Sequence, residues 1–227
     1  MIILILVETS LELMPVEICK VGAIKKEASK KNKKTRHLIL DSARHRPFMV
    51  NFKLKNKDKR GRPDILHRFL LFSLGTLASK KGKLRIFIHT LFNETFEANQ
   101  KLRLPRNYIR FIGLFEQFLV KKKVPLQGEP LMLLKKQTLN ELLDEINPTK
   151  TILLSEQGKK VNINEYLASL ENIQENNYVF LIGGFPFGDF TEETKNLAYD
   201  IISIGEESLS STVIAAKVII NYENLIL

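Results

Sequence analysis

Two short segments hold the residues best able to do chemistry: Arg60-Gly61-Arg62-Pro63-Asp64-Ile65-Leu66-His67 and Leu102-Arg103-Leu104-Pro105-Arg106-Asn107-Tyr108-Ile109-Arg110. Each sets arginines at the start of an expected helix. A helix start carries partial positive charge, so a cation there is disfavoured by about 0.3–1 kcal/mol. A chain that accepts this cost twice points to an external anion that offsets it. The obvious one is a nucleic-acid phosphate. Pro63 suits a first helical position and pushes Arg62 towards extended backbone. Asp64 then falls in the first turn, where its charge is favoured whether or not it has a further role. The same carboxylate can pair with Arg62 and orient it to grip a phosphate or a base edge bidentately. It is a poor general base. A neighbouring arginine and a helix start both lower a carboxylate's pKa, whereas a base working near neutral pH needs the opposite.

In the second segment, Arg106 and Arg110 are four apart and would share one helical face. Tyr108, Phe111, Ile112, Phe115, Phe118 and Leu119 cluster on the other, which reads as core packing and not a base-stacking platform. Arg103 precedes the helix and can lie beside its first turn. A third segment, Ile182-Gly183-Gly184-Phe185-Pro186-Phe187-Gly188, follows a buried strand, and its glycines would let backbone approach a ligand. It also reads as an ordinary strand-to-helix turn. No GxGxxG, GxxxxGK[ST] or GxSxG occurs. The four histidines, His37, His45, His67 and His89, show no metal-ligand spacing, and His67 reads as packed or hydrogen-bonded. The single cysteine, Cys19, excludes an internal disulfide and a Cys-rich metal site.

The elements that must position these residues are legible as periodicities. Ile2–Val7 reads as a buried strand, not a signal peptide. Leu11–Ala28 has helical spacing, and Lys25–Arg36 reads as an exposed basic loop. Asp41-Ser42 is a candidate helix cap. Lys53–Arg60 is a second basic loop. Helices are expected at Asp64–Leu77, Arg106–Leu119 and Thr138–Ile146, and a strand at Leu84–His89. In the last third, apolar stretches at Lys150–Leu154, Tyr178–Ile182 and Asp200–Ile204 alternate with helical ones at Asn162–Leu170, Glu192–Leu197 and Leu209–Tyr222. That alternation implies a parallel sheet with helices on both faces. Ligands of such sheets sit beyond the carboxyl ends of the strands.

The net charge of +10 is unevenly placed. Residues 1–127 carry 28 Lys+Arg against 10 Asp+Glu; residues 128–227 carry 7 against 15. The first part suits a polyanion, although lysine-rich loops also serve solubility. No run approaches the roughly 18 apolar residues of a membrane span.

The order RGRPDILH, LPRNYIRFIGL, FLIGGFPFG, IISIGEESLSSTV resembles the ribosome-biogenesis pseudouridine methyltransferases of the SPOUT class, the family first described as essential for mitotic growth. The resemblance covers most of Met1 to Leu227. It implies a single SPOUT methyltransferase domain over 1–227, with a basic RNA-binding part (about 1–127) and an acidic cofactor-binding part (about 128–227) tied in a trefoil knot. It implies S-adenosylmethionine as cofactor and N1 of a pseudouridine in a small-subunit rRNA hairpin as the methyl acceptor. A homodimer in the cytoplasm, or the nucleolus of a eukaryote, follows, without membrane or metal. The family's RNA-contacting arginines fall on Arg62, Arg103, Arg106 and Arg110, and its arginine-steadying aspartate on Asp64. Its cofactor loops fall on Leu154, Gly183, Gly188 and the stretch Ile204, Gly205, Glu206, Glu207, Ser208 and Leu209, two of whose residues are acidic here. A non-catalytic rRNA-binding assembly factor and a 2′-O-ribose methyltransferase of the same fold are the alternatives.

Overall fold

The computed structural model describes residues 1–227. Strand β1 (Ile2–Thr9) lies in the middle of a seven-stranded sheet and is buried along its whole length. Its alternate side chains feed two cores. Ile2, Leu4 and Leu6 enter the larger one; Ile3, Ile5 and Val7 enter a smaller one on the opposite face.

In chain order, α1 (Gly22–Lys30), α2 (Ser42–Asn51), α3 (Pro63–Gly75) and α4 (Leu77–Lys80) lead to β2 (Leu84–Thr90) and β3 (Glu94–Glu97). Helix α5 (Tyr108–Lys121) is followed by the two-residue strands β4 (Lys123–Val124), β5 (Met132–Leu133) and β6 (Lys135–Lys136). Then come α6 (Leu139–Ile146), β7 (Lys150–Lys160), α7 (Ile163–Ala168), β8 (Tyr178–Gly183), α8 (Glu192–Asn196), β9 (Asp200–Ser203) and α9 (Ser211–Ile226). The sheet order is β6-β3-β2-β1-β8-β7-β9, and β4 pairs with β5 apart from it. The five strands from β2 to β9 run parallel; β3 and β6 add an antiparallel edge. Phe69 of α3, Phe111, Phe115 and Phe118 of α5, and Val218 and Tyr222 of α9 fill the larger core. The apolar stripe of α6, opened by a Thr138–Glu141 capping box, closes the smaller one.

Three expectations are corrected. Leu11–Ala28 is not one helix: Pro15 lacks the N–H a helix needs, and residues 11–21 are irregular, with a bridge from Leu13 to Ile39 and a turn over 16–20, before α1 begins. Lys25–Arg36 is not an open loop, because Lys25 to Lys30 are helical. Glu116 of α5, only 2% exposed, accepts from Lys33 Nζ at 2.6 Å, Lys31 Nζ at 3.4 Å and the Ile39 backbone N–H at 3.3 Å. Arg106 is outside its helix, since Asn107 caps α5 by accepting from the Arg110 N–H.

At the other edge, β7 embraces β9. Ile202 pairs with both Leu154 and Lys159 of β7, so one strand flanks it on two sides. The Val161 N–H donates to Ser203 O at 2.9 Å. Gly158 sits at this crossing, where a Cβ would stand 2.6 Å from backbone atoms of Ile202.

Candidate functional site

Beyond the carboxyl ends of β7, β8 and β9 lies a cavity of about 320 Å³, within the ordinary range for small-molecule sites. Leu154, Gly183, Gly188, Ile204, Gly205, Glu207, Ser208 and Leu209 all line it. Glu206, from the same set, is exposed and off the wall. The glycines sit close to their neighbours: a Cβ at Gly205 would stand 2.8 Å from the end of the Leu209 side chain, and one at Gly183 would press on the Phe185 and Phe190 rings at 3.3 Å. Gly184 is tighter still, with Thr9 Oγ1 at 2.5 Å from its missing Cβ. The wall mixes apolar Leu154, Ile204 and Leu209 with Ser203, Ser208, Ser210 and Ser211 and with the acidic Glu156, Asp189 and Glu207. That mixture suits a ligand with an apolar body, hydrogen-bonding edges and positive charge.

Arg62, Ile65 and Arg68 also line this cavity, so the basic first part of the chain forms one of its walls. Arg62 stands immediately before α3 without capping it, and Pro63 occupies the helix's first turn. Its guanidinium forks onto Asp64, Nε to Oδ1 at 2.7 Å and Nη2 to Oδ2 at 3.0 Å. Arg68, one turn along, reaches Asp64 Oδ2 at 2.7 Å. Partial burial works against the Asp64 charge, but the Arg62 fork and Arg68 outweigh it and hold the carboxyl below its ordinary range.

Arg103, Arg106 and Arg110 are exposed, and none has a hydrogen-bond or ion-pair partner for its side chain. The loop that carries them is pinned from beneath. His67 of α3 packs on Phe111 with ring centroids 4.2 Å apart, and its Nε2 pairs with Pro105 O at 2.9 Å. Tyr108 donates to Asp41 Oδ2 at 3.0 Å, and burial together with the Asp41 charge pushes its phenol well up. The result is three free guanidiniums on a rigid base, on the loop that His67 ties to α3.

Several neighbours of the site escaped sequence reading. Lys59 and Arg60 belong to the basic loop Lys53–Arg60, yet they are paired inward, with Glu8 and Glu12 respectively. Glu8 and Glu12 mark the end of β1 in the sequence, but nothing local shows their partners about 50 residues away. Phe187, 68% exposed on the glycine loop between two lining residues, is an unburied aromatic at the cavity's edge.

The fold and the site together define a class: an α/β protein with a cavity of small-molecule size at the carboxyl edge of a parallel sheet, beside an exposed arginine surface. A model of the EMG1/NEP1 methyltransferase family matches residues 4–223. The chain is 39% identical over 228 residues to the "Ribosomal RNA small subunit methyltransferase Nep1" of Methanothrix thermoacetophila, covering 100% of this chain and 97% of that one. It is 41% identical over 226 residues to the protein of the same name from Staphylothermus marinus, covering 98% and 95%. A crystal structure of Archaeoglobus fulgidus Nep1 bound to S-adenosylhomocysteine superposes with a TM-score of 0.85 at 31% identity, covering 98% and 97%. The chain belongs to the EMG1/NEP1 methyltransferase family.

Proposed function

We propose that this protein is an S-adenosylmethionine-dependent methyltransferase that methylates N1 of a pseudouridine in a small-subunit rRNA hairpin. One observation carries the reading: Arg62, oriented by Asp64, stands on the wall of the glycine-lined cavity, so a ligand there and an RNA at the arginines would meet. The names of the relatives support the rRNA substrate, and the neighbour bound to S-adenosylhomocysteine supports the cofactor. Pseudouridine adds an N–H that uridine lacks, which supports N1 as the acceptor.

Leu154, Gly183, Gly188 and the 204–209 stretch would hold the cofactor, with Glu156 and Glu207 complementing its positive groups. When bound, it supplies a sulfonium methyl for in-line displacement by a nitrogen. The chain's own task is then placement, which supplies much of the acceleration of such a reaction. Arg103, Arg106 and Arg110 bind hairpin phosphates and hold the loop while one base leaves the stack. Arg62 and Arg68 put positive charge on the cavity wall, which favours the deprotonated form of an N–H acid held there. Asp64 keeps Arg62 in place and stays ionised.

The double pairing of Ile202 supports a trefoil knot at this edge. Exposed Tyr199 just before β9 and Ile201 within it, with Val213 and Ile220 on α9, support a homodimer that covers them.

The test is methyl transfer from labelled S-adenosylmethionine to two synthetic rRNA hairpins, identical except for pseudouridine or uridine at the loop position. Label should enter only the pseudouridine hairpin and be lost with Arg106→Ala. If both hairpins bind tightly and neither is labelled, the assembly-factor reading replaces the enzyme.

A further inference from the structure

The arginine turn and the glycine loop touch directly through one side chain, Lys59, while Ser10 bridges them from beneath, its hydroxyl donating to Lys59 O and its N–H to Gly184 O at 3.0 Å. Lys59 Nζ donates to Glu8 Oε2 at 2.6 Å and to the backbone carbonyl of Asp189, and it lies 4.2 Å from the centroid of the Phe185 ring. No other hydrogen bond or ion pair joins residues 57–62 to residues 183–191. Contact at this point is close, since a Cβ on Gly188 would stand 3.3 Å from Lys59 Cε. Glu8 completes the junction. Its Oε1 accepts from the Thr191 N–H at 2.8 Å, Thr191 Oγ1 at 3.0 Å and Thr194 Oγ1 at 2.9 Å. Glu8 is 3% exposed and takes a left-handed backbone with φ of 51°, a conformation non-glycine residues adopt at a cost. Its carboxylate lies between the two loops.

Fold stability alone does not demand this arrangement, because a buried ion pair is often replaceable by apolar side chains without loss. Its position suggests another use. On one side, Phe185, Asp189 and Gly188 are cavity wall; on the other, Arg62 follows Lys59 by three residues and lines the same cavity. Between them Arg60 is held to Glu12 by bonds of 2.7 and 2.6 Å, so Lys59 and Arg62 sit at the two ends of one stiff turn.

Building on the function proposed above, we propose that Lys59 is a positioning residue that couples the cofactor cavity to the RNA grip. A ligand that settles the glycine loop fixes Lys59, and through it the turn that presents Arg62. Coupling between binding sites is reciprocal, so each ligand tightens the other by the same factor.

The test uses the full-length protein, S-adenosylhomocysteine and the pseudouridine hairpin. The variant is Glu8→Gln/Lys59→Met, which removes both charges together and leaves an amide oxygen for Thr191 and Thr194. Calorimetry gives the S-adenosylhomocysteine affinity with and without saturating hairpin. In the wild type the hairpin should tighten it by about fivefold or more, the lower range of allosteric coupling. In the double variant each ligand should still bind alone, with the coupling reduced to what the Ser10 bridge carries. Equal coupling in the two proteins overturns the proposal, as does no coupling in the wild type. A second measurement needs no variant: amide exchange at residues 57–62 of the wild type should slow when S-adenosylhomocysteine alone is added, and unchanged exchange overturns the proposal. Failure of the wild type to bind either ligand would instead sink the functional reading beneath it.

Discussion

Replacing Asp64 by asparagine separates orientation from catalysis. Asp64 and Arg62 are each about one-third exposed, so their ion pair is screened by water. Losing it and the contact to Arg68 should cost about 1 kcal/mol of stability. Removing a negative charge from the first turn of α3 adds about 0.3–1 kcal/mol. The sum lies well inside the roughly 5–15 kcal/mol that stabilises a typical fold, so the variant should remain folded. Its Arg62 is no longer held in a fork. Ordering one such side chain on binding costs about 0.5–1.5 kcal/mol, so the hairpin dissociation constant should rise about two- to tenfold. Fluorescence anisotropy with a labelled hairpin reads this directly, and calorimetry should give an S-adenosylhomocysteine affinity close to wild type. Unchanged hairpin affinity together with abolished methyl transfer would refute the reasoning, because Asp64 would then act on a proton and not on Arg62.

Other expectations follow from single contacts. Gly158→Ala forces a Cβ against the backbone of Ile202, which cannot move cheaply, so chemical denaturation should show about 1–3 kcal/mol of lost stability; no change would argue against the tight crossing of β7 and β9. Phe187→Ala should weaken hairpin binding by about 1–3 kcal/mol, the worth of a base–aromatic stack, while leaving S-adenosylhomocysteine binding unaffected. Burial opposes the Glu8 charge, but Lys59 and the Thr191 and Thr194 donors outweigh it and hold its pKa down. Its ionised form thus stabilises the fold above the unfolded-state pKa, and that contribution is lost as pH falls through the lower folded value. Melting temperature should therefore drop below about pH 4 more steeply in the wild type than in Glu8→Gln; parallel curves would contradict the pairing.

Much of this was legible in local patterns. The apolar runs of β1, β8 and the first half of β7 showed the sheet, because strand residues buried on both faces need apolar side chains; β9, exposed at Ile201, was marked by its branched residues. The aromatic stripe of α5 likewise showed its buried face. The edge strands β3 and β6 were invisible, since two to four residues carry no periodicity. Long-range pairing was also hidden. Lys31, Lys33, Lys59 and Arg60 read as solvated basic loops, yet their carboxylate partners Glu116, Glu8 and Glu12 lie about 48 to 85 residues away. Arg106 was misplaced because Asn107 serves as a cap, and a cap moves a helix start by two residues without disturbing the apolar repeat behind it.

The most direct measurement is nucleoside mass spectrometry of the pseudouridine hairpin after reaction with isotopically labelled S-adenosylmethionine. A single labelled methyl on N1 of pseudouridine is expected, absent from the uridine hairpin. A methyl on the ribose 2′ oxygen, or equal labelling of both hairpins, would contradict the assignment of the cavity and its arginines to pseudouridine N1.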